Sequence, residues 1–125
     1  MMMTALQVAL GGAIGAVLRF GVGVAVMRFA SPGFPVAIIG VNILGSFLMG
    51  LFVIYSIQKG LGHLNPLVMT GLLGGFTTFS AFSLEAFTLY DEGQAAQAAL
   101  YVVLSVAGSL LALALGVWLA RAVFA

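Results

Sequence analysis

Four long apolar stretches, separated by short polar connectors, limit what this chain can fold into. They cover about residues 4–28, 36–57, 66–90 and 95–120. Each is close to the ~20 residues with which a helix crosses a bilayer core, whereas membrane β-barrel strands are shorter and alternate apolar with polar residues. The pattern predicts an all-α membrane protein with four transmembrane helices in a single domain, residues 1–125.

Charge is too scarce for a soluble protein. The chain is 63% hydrophobic and 6% charged, with a mean hydropathy of +1.26, whereas soluble domains carry roughly 25% charged residues. The lack of cysteine excludes disulfides and thiolate metal sites. A net charge of +1 without a basic run gives no sign of nucleic-acid binding. The start lacks the basic region of a signal peptide, so we expect mature sequence.

The positive charges give almost no orientation signal. With four spans, Lys59 and Arg121 lie towards the side of both termini, and Arg19 and Arg28 lie towards the other. Because loop Lys and Arg residues normally set topology, this balance favours insertion in both orientations. A single orientation chosen by a partner is the alternative. Two oppositely inserted copies would form an inverted pair.

Small residues recur at four-residue spacing, which lets helix backbones approach closely. Their number favours a homodimer, although some must serve contacts within the chain. The pairs are Gly11/Gly15, Gly12/Ala16, Ser46/Gly50, Gly71/Gly75, Gly108/Ala112 and Ala112/Gly116.

Two charged residues lie inside or near the spans. Arg19, in the first span, either reaches an interface or lines a water-filled vestibule, where its sign favours an anion. Glu85, near the end of the third span, could face a vestibule, pair with an arginine or fix the helix. Asp91 and Glu92 are expected in a loop. The single histidine, His63, is in a loop without an evident nucleophile or metal partner, so we expect no enzymatic function.

Polar residues also form helical stripes. Asn42 has Ser46 one turn below it, and Tyr101, Ser105 and Ser109 follow one another at four-residue spacing. Hydrogen bonding between packed helices would account for some of these groups, and a continuous polar track would account for all of them.

The third span contains GLLGGFTTFSAFS (71–83), which predicts an interrupted helix. Gly74-Gly75 weakens the helix and Thr77-Thr78 are poor helix formers. In hydrocarbon, such a break is tolerated only within protein or beside water. Unwound carbonyls suit a cation such as Na⁺, and half-helix N-termini suit an anion.

Phenylalanines follow the expected break. Phe79 and Phe82 share a face, and Phe76 continues the row backward. Helix or lipid packing is the plain explanation. However, the edge of a phenyl ring carries partial positive charge, so ring edges could hold a small anion weakly enough for conduction. The hydroxyls interleaved with these rings are Thr78, Ser80 and Ser83.

The motifs GAVLRF (15–20), VNILGS (41–46) and GLLGGFTTFSAFSLE (71–85) resemble those of the Fluc/CrcB fluoride channels over the whole chain. The resemblance implies a multi-pass protein of the cell (inner or plasma) membrane. It also implies an antiparallel, dual-topology homodimer with two fluoride pores and a structural Na⁺ at the dimer interface. Transport would be passive: fluoride enters as HF, dissociates, and leaves as F⁻ driven by the membrane potential.

The resemblance also implies roles for individual residues. Main-chain carbonyls of Gly74 and Thr77, from both subunits, would hold Na⁺. Arg19 matches the arginine of the first span, and Phe76 stands where a smaller aliphatic residue is expected. The residues that would line the fluoride path are Phe79, Phe82, Asn42, Tyr101, Ser105 and Ser109, with Thr78, Ser80 and Ser83 on the polar side of the motif.

Two other functions are compatible with four short spans. A proton-coupled small multidrug transporter needs a carboxylate in its first span, where this chain has Arg19 and no acid. A structural membrane subunit would use the polar residues only to join helices.

Overall fold

The computed structural model describes residues 1–29 and 34–124. Four helical segments are long and apolar enough to cross a membrane, which confirms the predicted all-α architecture; they are Met2–Phe29, Ala37–Lys59, Gly62–Asp91 and Ala95–Phe124. The first two are α1 and α2, and the last is α5. Most of the connector expected at 29–35 lies outside the described residues.

The third span is a composite. It consists of a 3₁₀ turn (Gly62–Leu64), a π-helix (Pro66–Leu73), one α-helical turn α3 (Gly74–Phe76) and the helix α4 (Phe79–Asp91). Between α3 and α4, Thr77 and Thr78 are extended, with ψ angles of 159° and 127°. The predicted interruption is confirmed. Its position is not as expected, because Gly74 and Gly75 remain helical and the chain unwinds only after Phe76.

The glycines before the break serve close packing. A Cβ on Gly75 would lie 2.6 Å from the carbonyl oxygen of Gly12 in α1. A Cβ on Gly15 would overlap the Leu72 carbonyl oxygen. These residues therefore let two helix backbones touch while Gly75 remains helical. Gly50 of α2 is similarly placed against the backbone of α5, so the small-residue spacing is largely used within one chain.

The break redirects the third span from one neighbour to another. The π-helix and α3 pack on α1, whereas α4 packs on α5, which also packs along α2. Phe82 and Leu89 of α4 form a buried cluster with Ala98 and Tyr101 of α5. A straight helix would keep one packing direction, so the unwound residues allow the span to contact both halves of the bundle.

Glycines also lie at the C-terminal ends of two helices. Gly60 ends α2 in the left-handed conformation, with φ 67°, and its N–H donates to the Ser56 carbonyl. Gly93, with φ 80°, follows α4. Only glycine adopts this region without a Cβ penalty, so α2 and α4 end sharply and the next helices return antiparallel.

Substitution of Gly15 by alanine should destabilise the fold, because the added methyl meets the backbone of the third span. Overpacking of this kind lowers the free energy of unfolding by about 1–3 kcal/mol. Gly23→Ala, on the same helix with open space around it, is the matched control and should change little. Unfolding in detergent measures both variants; equal effects would contradict this account of the packing.

Candidate functional site

A cavity of about 410 Å³ lies beside the break, between α2, α4 and α5. Eight of the residues singled out from the sequence reach its lining, together with apolar side chains. Those eight are Asn42, Ser46, Thr77, Thr78, Phe79, Phe82, Ser105 and Ser109. Three separate spans thus bring amide, hydroxyl and phenyl groups to one place.

Aromatic rings form a row along one side of this cavity. The ring centroids of Phe79 and Phe82 are 5.3 Å apart at an interplanar angle of 55°. Phe82 in turn stacks on Tyr101, with centroids 5.5 Å apart and planes at 14°. Phe82 is buried, whereas Phe79 is 76% exposed in the single chain. Phe76 does not continue the row, because it precedes the break and is buried against Gly45.

Asn42 of α2 bonds both main-chain groups of Thr78. Its Nδ2 donates to the Thr78 carbonyl oxygen over 2.9 Å, and its Oδ1 accepts the Thr78 N–H over 2.8 Å. In a continuous α-helix that N–H would bond the carbonyl of Gly74. The side chain of Asn42 therefore replaces a helical hydrogen bond and releases the Gly74 carbonyl.

Two more hydrogen bonds satisfy backbone groups at the break, and a third adds to the Leu73 carbonyl, which the Thr77 N–H already bonds. The Thr77 hydroxyl donates to the Leu73 carbonyl over 3.0 Å, and Arg19 Nε donates to the Gly75 carbonyl over 3.3 Å. The N–H of Ala81 donates to the Thr78 hydroxyl, the N-cap of α4, over 3.2 Å. Since a continuous helix would direct the Ala81 N–H to the Thr77 carbonyl, that oxygen is also released from helical bonding.

A second cavity, of about 800 Å³, contains Arg19 and Glu85 in its lining. These are the two residues expected from the sequence to face a vestibule, and α1 and the start of α2 supply most of the remaining surface. The Glu85 carboxylate accepts the hydroxyl proton of Tyr101 in a hydrogen bond of 2.5 Å. Because Tyr101 also stacks on Phe82, this pair connects the two cavities.

The residues of the predicted polar stripe of α5 differ in their surroundings. Tyr101 is fully buried and Ser105 is 5% exposed. Among the described residues, the Ser105 hydroxyl has no hydrogen-bond partner. A buried unpaired hydroxyl is unfavourable by about 1–3 kcal/mol, so this group, which lines the first cavity, is available to a bound ion or water.

Three residues predicted for the fluoride path are absent from the lining of the first cavity: Tyr101, which stacks on Phe82, and Ser80 and Ser83. Ser80 is exposed, with its hydroxyl 3.3 Å from that of Thr78. Ser83 is also exposed and donates to the Phe79 carbonyl over 3.0 Å. Both belong to α4, on a surface that the single chain leaves uncovered.

Sequence reasoning missed some of the lining. Gly45 and Met49 extend the face of Asn42 and Ser46 along α2, and Val106, Leu110 and Leu113 do the same on α5. Their spacing of three and four residues from the polar positions was the available signal.

Tyr101→Phe tests the hydrogen bond from Tyr101 to Glu85, which connects the two cavities. The ring and its stacking remain, but Glu85 loses a donor, so the free energy of unfolding should fall by about 1–3 kcal/mol. Tyr90→Phe, at an exposed tyrosine of α4, is the control and should be neutral. Both are measured by unfolding in detergent; a neutral Tyr101→Phe would show that the hydrogen bond contributes no stability.

Comparison with known proteins agrees with these features. The family described as "CrcB-like protein, Camphor Resistance (CrcB)" matches residues 6–117. The protein named "Fluoride-specific ion channel FluC" of Ruegeria sp. (strain TM1040) is 62% identical, covering 98% of both chains. Its namesake from Roseobacter denitrificans is 54% identical, covering 98% of this chain and 99% of the relative. The chain is an integral membrane protein of the CrcB family.

Proposed function

We propose that this protein is a fluoride-selective ion channel that passively releases F⁻ from the cytoplasm and so relieves fluoride toxicity. The family and the names of its relatives support this assignment. The observation that carries it is the first cavity, where Phe79 and Phe82 lie beside Ser105, Ser109 and the break. A channel requires no chemical step, and we assign no catalytic residue.

The cavity offers weak anion contacts without a fixed full charge. Phenyl edges are electropositive, and hydroxyls of Ser105 and Ser109 can donate to an anion. Asn42, Thr78, Ser80, Ser83 and Tyr101 add polar groups at or near this path. Conduction needs binding that is favourable but not deep, and this lining provides it better than lysine or arginine would. Arg19 and Glu85 would form the vestibule.

Membrane potential provides the driving force. Fluoride enters as neutral HF and dissociates inside, where the anion accumulates. An inside-negative potential of about 100 mV favours exit of one anion by about 2.3 kcal/mol. At equilibrium this corresponds to a ratio of about 50 between outside and inside, so no ATP is needed.

The functional unit in this proposal is an antiparallel homodimer with two pores. Gly74, Ser80 and Ser83 are exposed in the middle and second half of the third span, and Phe79 beside them is 76% exposed. Irregular backbone is not tolerated against lipid. A second, oppositely inserted copy would cover this surface and close the open side of the cavity.

The released carbonyls fit a structural Na⁺ at the centre of such a dimer. The amides of Thr78 and Ala81, which a continuous helix would direct to the Gly74 and Thr77 oxygens, are directed elsewhere. Main-chain carbonyls are hard oxygen ligands, which alkali cations prefer. Gly74 and Thr77 of both subunits would hold the ion, which would join the two chains.

Fluoride efflux from liposomes that contain only this protein tests the function. We expect efflux of fluoride and exclusion of chloride. Phe82→Ile and Phe79→Ile should each slow fluoride efflux at least about tenfold, because an aliphatic group has no electropositive edge.

Phe87→Ile is the matched control, since Phe87 is an exposed residue of the same helix outside the cavity. Its flux should equal that of the wild type. Size-exclusion chromatography verifies that each variant keeps the wild-type assembly. Absence of flux in the wild type, or equal flux for both halides, would reject the channel assignment.

A single cysteine tests dual topology, because the chain has none of its own. Gln94→Cys places an exposed thiol in the connector between α4 and α5. In intact spheroplasts, an impermeant maleimide should label about half of the molecules, as expected for balanced loop charges. Permeabilisation should expose the rest. Labelling of nearly all or nearly none before permeabilisation would establish one fixed orientation.

A further inference from the structure

One residue of α2 fixes the conformation of the break. Thr78 has φ −154° and ψ 127°, an extended conformation between two helical segments. The side chain of Asn42, thirty-six residues earlier in the chain, bonds both the carbonyl and the N–H of Thr78. Because a peptide N–H can only donate and a carbonyl can only accept, these two bonds also fix which way the Asn42 amide faces. The amide pairs with Thr78 as a neighbouring β-strand would.

We propose that Asn42 is a positioning residue that prevents the third span from continuing as a helix. In a continuous helix the Thr78 N–H would return to the Gly74 carbonyl. The bond to Asn42 over 2.8 Å withdraws that N–H. Released from the helix, Thr78 turns its hydroxyl to cap α4 at Ala81, so the bond stabilises both the end of one half-helix and the start of the next.

The consequences for ions rest on the proposed function. On one side of Thr78, the freed Gly74 carbonyl is a ligand proposed for Na⁺. On the other side, the start of α4 sets the direction of Phe79 and Phe82, whose centroids are 5.3 Å apart. The side-chain amide of Asn42 thus links the carbonyl proposed to bind Na⁺ to the proposed path of the anion. This role differs from direct binding of fluoride by Asn42.

The closest alternative is that Asn42 acts only as a ligand for the anion. The Nδ2 group has two hydrogens, and the bond to Thr78 uses one of them. An anion ligand would affect the fluoride concentration that gives half-maximal flux. A positioning residue would instead affect the maximal flux and the protection of the Thr78 amide against hydrogen exchange.

Hydrogen exchange of the Thr78 amide, measured on purified protein in nanodiscs, separates these roles without requiring transport. Asn42→Ala should speed exchange at Thr78 at least about tenfold, because the only acceptor outside the helix is removed. Ser46→Ala is the matched control, since Ser46 lies one turn along α2 and lines the same cavity. Its exchange should match the wild type.

Asn42→Asp covers the case in which the alanine variant does not fold. The carboxyl oxygen still accepts the Thr78 N–H, but the donor to the Thr78 carbonyl is lost when the acid ionises. Exchange at Thr78 should then be faster than in the wild type and slower than in Asn42→Ala. Exchange at wild-type rates in both Asn42 variants would overturn the proposal, even if the channel assignment held.

Sodium-dependent melting tests the link to the cation carbonyls. In Asn42→Ala, the Na⁺ concentration giving half-maximal stabilisation should rise at least about tenfold, because the peptide at Thr78 is no longer held in its extended conformation and the neighbouring carbonyls lose their fixed orientation. Ser46→Ala should remain within about twofold of wild type. An unchanged half-maximal concentration would refute the link. Fluoride flux by Asn42→Ala should also stay low at saturating fluoride; recovery there would identify an anion ligand instead.

Discussion

Main-chain hydrogen bonding at Thr77-Thr78 is the constraint on which the rest of the structure depends. Each unpaired backbone group inside a bilayer is unfavourable by several kcal/mol, so a span can be interrupted only where other groups replace the helical bonds. Asn42 and Arg19 supply replacements from two other helices. The Thr78 hydroxyl supplies another locally, by accepting the N–H of Ala81. The break is therefore a site where three of the four spans meet.

Close helix packing on one side gives this break a rigid base. Gly12 and Gly75 bring α1 and α3 into backbone contact, which holds the first half of the third span up to Phe76. On the other side, Phe82 and Tyr101 attach α4 to α5. The halves are thus fixed to different neighbours, and only the two threonines between them depart from helical geometry. Small residues that suggested a dimer contribute mainly to this internal contact, so the argument for a second copy depends on the exposed break instead.

The sequence was sufficient to predict the four spans, because hydropathy and turn residues depend only on neighbours along the chain. Helical spacing also placed the polar residues of α2 and α5 on common faces, and Asn42, Ser105 and Ser109 line the first cavity. The sequence could not place the break, since glycine weakens a helix locally, whereas Gly75 stays helical in close contact with Gly12 of α1. Nor could it predict the bond between Asn42 and Thr78, which joins residues thirty-six positions apart.

Under the proposed function, the break would let one short motif serve ions of opposite charge. The half-helix before it ends in carbonyls, the negative end of its dipole, and α4 begins with N–H groups, the positive end. Arg19 already places a cationic group on the Gly75 carbonyl at the first end. Phe79 and Phe82 follow the second end, beside the cavity. Because both ends arise from the same two unwound residues, a change that restores the helix would remove the proposed cation ligands and the proposed anion-facing terminus together.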